Sequence, residues 1–154
     1  MASGKEIRAG AANARQTSRQ LQDMAAAARA RAAQLRQRSE ALRILIVEDH
    51  ADSAEVLRRL LVLDGHDVVV AGTVHDALRL SEVSHFTRLL CDIGLPDGSG
   101  LDLVRTLKRA HPELRAVALS GFAMQHDVEE AMQAGFDAHL AKPVTMQQLL
   151  TSLQ

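Results

Sequence analysis

The stretch Arg43-Ile44-Leu45-Ile46-Val47-Glu48-Asp49 decides the fold. Its apolar part is short and continuous, which is typical of a strand buried on both faces of a parallel sheet. Two carboxylates follow directly, where such a strand would end. The stretch therefore predicts a buried strand that delivers acidic groups to one edge of a sheet.

Downstream of this stretch, short apolar runs alternate with amphipathic helical patterns. Further strands are predicted at 67–71, 88–91, 116–119 and 136–140. Helix starts are predicted at Asp52 with Glu55, Thr73 with Asp76, Ser99 with Asp102, and Thr145 with Gln148. Five strictly alternating strand–helix units are too few for a closed barrel. They predict an α/β fold with an open, five-stranded, parallel, doubly wound sheet (flavodoxin-like, order 2-1-3-4-5).

Composition excludes several classes of function. The chain has 154 residues, with one cysteine, three phenylalanines and neither Trp nor Tyr. A disulfide framework, a cysteine-rich zinc site and an aromatic platform for stacked bases are thereby excluded. No apolar run approaches the roughly 20 residues of a membrane span. No apolar core follows the basic N-terminus, so no secretory signal is predicted, and a cytoplasmic location is expected.

The N-terminal part differs from the rest in charge and composition. Residues 1–40 carry eight basic and three acidic residues, a balance of +5, against −6 for residues 41–154. The segment is rich in Ala, Arg and Gln, which are helix formers. One apolar stripe recurs every seven residues, but the second seam is broken by Arg31 and Arg38. Residues 1–42 are therefore predicted as a helical linker or a weak, dimerising coiled-coil extension, and 43–154 as the domain.

Polar residues follow four of the five predicted strands. Asp49 and Asp92 would flank the point where the strand order reverses, which is where such sheets bind ligands. Crowded carboxylates repel one another, and Mg²⁺, which prefers oxygen ligands, would relieve that repulsion. Ser120 can donate to an oxyanion, and Lys142 offers a point charge for a phosphoryl group. This set predicts phosphoryl transfer to an aspartate.

Four motifs at these strand ends resemble those of a known family. The motifs are Ile46-Val47-Glu48-Asp49, the CDIGLPDGSG run at 91–100, Ala118-Leu119-Ser120-Gly121 and Lys142-Pro143. In this order they resemble the receiver domain of two-component response regulators, over residues 43–154. The tracts around Phe122 and from Phe136 to Pro143 are most similar to receivers attached to hybrid histidine kinases.

The resemblance implies a signalling phosphoacceptor and not an enzyme. Asp92 would take a phosphoryl group from the phosphohistidine of a histidine kinase or a histidine phosphotransfer protein. Glu48, Asp49, Asp92 and the main-chain carbonyl of Gly94 would hold Mg²⁺.

The resemblance also implies a switch. Ser120 and Lys142 would bond oxygens of the phosphoryl group, and a cis peptide would precede Pro143. The fourth helix, fifth strand and fifth helix of the series would form the responding surface. His139 stands where many receivers have Phe or Tyr, so the rotating aromatic ring of the family is replaced by a smaller, titratable one.

Three other functions are weighed against this one. A haloacid-dehalogenase-like aspartyl phosphatase would generally show an Asp-x-Asp motif, which Glu48-Asp49-His50 lacks. An inactive receiver used for docking conflicts with the intact Asp92, Ser120 and Lys142. A transcription factor would need a DNA-binding domain, and no such domain is predicted in this chain. The histidines at 66, 75, 85 and 111 are scattered, and we expect them on the surface without a metal.

Overall fold

The computed structural model describes residues 4–39, 41–121 and 124–154; within the N-terminal helix it describes side chains for 16–34. The chain forms two compact units, Met1–Glu40 and Ala41–Gln154. The first contains the helix α1 (Gly4–Ser39), in which Leu21 and Met24 are exposed. Phe122 and the stripe side chains Ile7, Ala14 and Leu35 lie outside the described set. Dimerisation through α1 stays a prediction.

The second unit alternates strands and helices. In chain order its elements are β1 (Arg43–Val47), α2 (Ala51–Leu63), β2 (Asp67–Ala71), α3 (Val74–Val83), β3 (Arg88–Asp92), β4 (Gly94–Leu95), β5 (Gly98–Ser99), α4 (Gly100–Ala110), β6 (Arg115–Ser120), α5 (Gln125–Ala134), β7 (Ala138–Ala141) and α6 (Met146–Leu153). No helix in the described part of the chain has the length and apolar character needed to cross a bilayer.

The main sheet has five strands in the order β2-β1-β3-β6-β7, and every neighbouring pair is parallel. This confirms the predicted 2-1-3-4-5 order, because β6 and β7 are the fourth and fifth strands of the alternating series. β1 therefore lies between β2 and β3. Its carboxyl end and that of β3 meet at the switch point of the sheet, where Val47 pairs with Cys91.

The sheet separates two apolar cores. Leu45 and Val47 point into one core, which α3, α4 and α5 cover with residues such as Leu103. Ile44 and Ile46 point into the other, which α2 and α6 cover with residues such as Leu149. Alternate residues of β1 are thus buried on opposite faces, as the continuous apolar run predicts. Full burial of each such side chain contributes about 1.5–3 kcal/mol, which makes β1 the centre of the fold.

Three of the four predicted helix starts are confirmed. Thr73 accepts a hydrogen bond from the Asp76 amide and Ser99 from the Leu101 amide, while Thr145 and Gln148 form a complete capping box.

The fourth predicted start, a capping box of Asp52 and Glu55, is wrong. Helix α2 begins at Ala51, and Asp52 lies in its first turn. The amide of His50 donates instead to the carboxylate of Glu48, and the carboxylate of Glu55 is taken by Arg58 and Arg59 at 2.8 and 2.7 Å.

A short hairpin between β3 and α4 was not predicted. β4 and β5 pair antiparallel, and Asp97 lies in the turn between them. Its carboxylate accepts hydrogen bonds from the amides of Val74 and His75, at 2.8 and 3.0 Å. Asp97 caps the N-terminus of α3, and thereby ties the loop after β3 to that helix.

We expect the cap on α3 to be pH-dependent. The amides of His75 and Val74 hold the pKa of Asp97 below its usual range. Its carboxylate therefore stabilises the fold above the unfolded pKa, about 3.9. This contribution is lost as the pH falls through the lower, folded pKa. Asp97→Asn should lower the free energy of unfolding in urea at neutral pH, and its difference from the wild type should shrink below about pH 4. Asp76→Asn removes a charge from the same helix start and is the matched control. If the free energy of unfolding of both variants differed from that of the wild type with the same pH dependence, the proposed cap by Asp97 would be contradicted.

Candidate functional site

The predicted site residues lie at the carboxyl ends of the parallel strands. Glu48 and Asp49 follow β1, Asp92 ends β3, Ser120 ends β6 and Lys142 follows β7. The amide of Lys142 donates to the carbonyl of Ser120 at 2.8 Å. This backbone hydrogen bond continues the pairing of β6 with β7 by one residue and fixes where the lysine leaves the sheet.

The ammonium group of Lys142 bridges two carboxylates. Its Nζ lies 2.6 Å from Glu48 Oε2 and 3.1 Å from Asp92 Oδ2. Glu48 is 94 residues away in sequence and Asp92 is 50. Partial burial acts to lower the pKa of Lys142, but its hydrogen bonds to Glu48 and Asp92 outweigh burial and raise the pKa. The lysine therefore keeps its positive charge between the two acids.

Glu48 is the most deeply buried acid of the group. Its side chain is 0% exposed, so its charge needs partners within the protein. Besides Lys142, it has the amide of His50 at 3.2 Å and the ring Nδ1 of His50 at 3.4 Å. Glu48 thus places a buried carboxylate in the site, in contact with Lys142 and His50.

Asp49 and Asp92 are more open to solvent than Glu48. Their side chains are 33% and 15% exposed. The Oδ1 atom of Asp92 accepts a hydrogen bond from the amide of Gly94, and its other oxygen accepts from Lys142. The carboxylate of Asp92 is therefore held in place by both of its oxygens, while one side of the site stays open to an incoming group.

His50 was not among the predicted site residues, but it lies beside two of them. Its Nδ1 lies 3.4 Å from both Glu48 and Asp49, and the three side chains form a group with metal-ligand spacing. The signal was its position directly after Asp49. The ring is largely exposed, so it can swing away without disturbing the core.

Ser120 is buried and contacts His139. Ser120 Oγ and His139 Nε2 lie 3.0 Å apart, within hydrogen-bond distance. The two residues belong to neighbouring strands, since Ala118 pairs with His139 and Ser120 with Ala141. The structure thus joins the two predicted switch residues through their side chains.

The remaining predicted residues are placed as follows. Gly94 is exposed and begins β4, two residues after Asp92. The peptide bond between Lys142 and Pro143 is cis, as the resemblance implied. Cys91 is fully buried in the core beneath Asp92, and burial raises the pKa of its thiol. Its Sγ donates to the main-chain carbonyl of Asp92 at 3.1 Å, so the cysteine contacts the backbone of Asp92 from the core.

Gly100 is a supporting residue that the sequence did not single out. A Cβ atom there would lie 2.3 Å from the carbonyl oxygen of Asp92 and 3.0 Å from Cα of Ile93. The Gly100 amide donates to the Ile93 carbonyl at 2.7 Å. Only glycine allows α4 to start this close to the backbone of Asp92.

The donor set fits a hard divalent cation. Glu48, Asp49 and Asp92 supply three carboxylates at neighbouring strand ends, and the single ammonium group of Lys142 contacts only Glu48 and Asp92, so carboxylates outnumber the ammonium group. All of the acidic donors are oxygens, which Mg²⁺ prefers over nitrogen or sulfur. The residues of the site therefore fit the magnesium ion that the carboxylates at the strand ends predicted.

Known proteins carry the same pattern. A family model described as the response regulator receiver domain matches residues 44–154. The polar-differentiation response regulator DivK of Brucella ovis is 31% identical over 114 residues, which cover 72% of this chain and 92% of DivK.

Solved structures of response regulators have a fold similar to that of this chain. A CheY-like receiver domain from Methanospirillum hungatei aligns with a TM-score of 0.69 and 30% identity, covering 73% of this chain and 90% of that one. A Burkholderia pseudomallei response regulator, solved with a phosphorylated aspartic acid, a calcium ion and citrate, has a TM-score of 0.69 and 32% identity. It covers 72% of this chain and 65% of that one. With its fold, its acidic strand ends and these matches, the chain belongs to the receiver-domain family of two-component response regulators.

Proposed function

We propose that this receiver accepts a phosphoryl group on Asp92 from a phosphohistidine. A carboxylate oxygen of Asp92 attacks phosphorus, the phosphorus–nitrogen bond breaks, and the leaving imidazole takes up a proton. The observation that carries the proposal is the Lys142 ammonium, which lies 2.6 and 3.1 Å from the carboxylates of Glu48 and Asp92. It places a fixed positive charge beside the oxygen that would be phosphorylated.

Mg²⁺ would be held by Glu48, Asp49, Asp92 and the carbonyl of Gly94. It would supply charge stabilisation for the transferring phosphoryl group. Within the protein, Lys142 neutralises one of the carboxylates, and the Gly94 amide orients Asp92 through its 3.2 Å hydrogen bond. These contacts hold the nucleophile in place before a donor arrives, which is the main contribution that a protein makes to phosphoryl transfer.

The partner would be a histidine kinase or a histidine phosphotransfer protein, and the chain would act as a cytoplasmic signalling phosphoacceptor. Residues 43–154 carry all of the proposed chemistry. Residues 1–42 would serve as a linker or a weakly dimerising extension, outside that chemistry.

Acetyl phosphate tests the proposal without a kinase. Incubation with Mg²⁺ should add the mass of one phosphoryl group, and removal of Mg²⁺ by a chelator should prevent the addition. Borohydride reduces an aspartyl phosphate to homoserine, so peptide mapping should find homoserine in place of Asp92. Homoserine at another aspartate would show that the acceptor lies elsewhere. Turnover of small phosphate esters would favour the phosphatase alternative.

The switch is proposed to run through Ser120 and His139. A phosphoryl oxygen on Asp92 would draw the hydroxyl of Ser120 away from the ring of His139. His139 would then repack on β7, next to α5 and α6. The buried position of Ser120 and its 3.0 Å contact with His139 support this coupling.

We expect Ser120→Ala and Lys142→Ala to impair the response more than the capture of the phosphoryl group. A hydrogen bond to a charged group contributes about 1.5–3 kcal/mol, enough to shift a two-state equilibrium about tenfold or more. Beryllofluoride, a phosphoryl mimic, should change the amide NMR shifts of α5 and β7 in the wild type and much less in either variant. Ser81→Ala, a serine substitution in α3, is the matched control. Identical shifts in wild type and both variants would contradict the coupling.

A further inference from the structure

Two segments at the other end of the sheet lie side by side. Arg88 of β3 pairs with Arg115 of β6, and the Arg115 amide donates to the Thr87 carbonyl at 3.2 Å. The residues that lead into these strands are therefore neighbours. Each segment is anchored by a buried side chain, Phe86 in the first and Leu114 in the second.

These anchored segments bring two histidines and a glutamate together. His85 precedes Phe86, and Glu113 precedes Leu114. The Leu114 amide donates to the His111 carbonyl at 3.0 Å, which closes a turn and places His111 beside Glu113. His85 is exposed, as expected, but the expectation that His85 and His111 lie scattered is wrong, because their rings are neighbours.

The geometry of the three side chains suits a metal ion. The rings of His85 and His111 have centroids 5.7 Å apart, at an angle of 72°. His85 Nε2 lies 3.9 Å from Glu113 Oε1. One ligand atom from each of the three residues lies within 4.8 Å of the others. The side chains of His85 and Glu113 are more than half exposed, so an ion can enter from solvent and both can turn towards it.

We propose that His85, His111 and Glu113 bind a zinc ion, with water as the fourth ligand. Two imidazoles and one carboxylate form a common three-residue donor set for zinc. Bonds of about 2.0–2.2 Å between zinc and these ligands require small side-chain rotations that bring the three ligand atoms closer together. Imidazole ligands favour zinc over magnesium, which prefers oxygen.

The proposed zinc site is separate from the phosphoacceptor site. β3 runs from the zinc-site end to Asp92, and a five-residue strand at about 3.3 Å per residue is about 16 Å long. The two sites also differ in their donors, since the acidic site offers mainly oxygen. Excess Mg²⁺ should therefore occupy the acidic site and leave the histidine site free for zinc. The zinc proposal does not depend on the proposed phosphoryl transfer.

Competition against a chromophoric zinc chelator, with the full chain in excess Mg²⁺, tests the site. We expect one zinc ion per chain. The double variant His85→Ala/His111→Ala should bind zinc at least tenfold more weakly. The matched control His75→Ala/His126→Ala removes two exposed histidines in the first turns of α3 and α5 and should bind as the wild type does. Unchanged affinity in the first variant, or an equal loss in the control, would overturn the proposal.

A second measurement keeps the test valid if the double variant folds poorly. In the wild-type chain, zinc should shift the ring-proton NMR signals of His85 and His111 and leave those of His75 and His126 in place. Glu113→Gln keeps the size of the side chain and removes its charge, so it should weaken binding while the fold persists. Shifts confined to His50 would place the ion in the acidic site and would overturn the proposal.

Discussion

Asp92→Asn is expected to abolish phosphorylation of the chain by acetyl phosphate and by any phosphohistidine donor. The amide is a poor nucleophile, and it removes the negative charge that Lys142 contacts at 3.1 Å. Because the carboxylate is the group that would form the new bond, the loss should be complete and not graded. Intact mass after incubation with acetyl phosphate and Mg²⁺ measures it directly.

Asp102→Asn is the matched control for this loss. It makes the same chemical change at an exposed aspartate in the first turn of α4, outside the site. The control should take up phosphate as the wild type does. Full labelling of Asp92→Asn would remove Asp92 from its assigned role, whereas loss of labelling in both variants would indicate general damage to the fold.

Asp49→Ala is expected to lower both Mg²⁺ affinity and the rate of phosphorylation, the rate by two orders of magnitude or more. The variant deletes one of the three carboxylates of the site, and transfer of a phosphoryl group depends on stabilising its charge. Loss of one such stabilising group commonly costs about 10²–10³ in rate.

The Mg²⁺ titration needs a probe suited to this chain. Because the sequence has neither Trp nor Tyr, intrinsic fluorescence is a poor reporter. Amide NMR shifts of Asp92 and Ile93 can follow the titration instead. Asp52→Ala, which removes an exposed acid from the first turn of α2, should leave the titration unchanged. Unaltered Mg²⁺ affinity in Asp49→Ala would contradict its proposed role as a ligand.

The fold was predictable because its signals are local. A continuous apolar run such as Ile44–Val47 is suited to burial on both faces, and Thr73, Ser99 and Thr145 each cap the helix that begins directly after them. The sheet order followed from the alternation of strands and helices. The capping box of Asp52 and Glu55 failed because α2 begins at Ala51, ahead of Asp52, and because Arg58 and Arg59 occupy the Glu55 carboxylate.

The residues of the candidate site were predictable because they occupy strand ends. Parallel strands bring their carboxyl ends to one edge of the sheet. The expected position there, independent of the conformation of the loops, applied to Asp49, Asp92, Ser120 and Lys142. The contacts among the side chains were not predictable in this way. That Lys142 would bridge Glu48 and Asp92 depends on side-chain directions, which the spacing of strands does not determine.

Contacts between loops account for most of what the sequence did not reveal. Asp97 caps a helix 23 residues before it, and His85 meets His111 and Glu113 across two separate connections. Nothing in the local pattern distinguishes these residues from exposed polar ones. Gly100 is similar, because its close approach to the Asp92 carbonyl depends on how the hairpin β4–β5 folds back.

The two apolar cores have a consequence for protein engineering. Leu103 of α4 and Leu149 of α6 belong to different cores and have the sheet between them. Substitutions at well-separated sites without shared partners generally change stability independently of one another. The packing of α2 and α6 on one face of the sheet can therefore be redesigned while the packing of α3, α4 and α5 on the other face is kept. The sheet thus divides the receiver domain into two cores whose side chains can be changed separately.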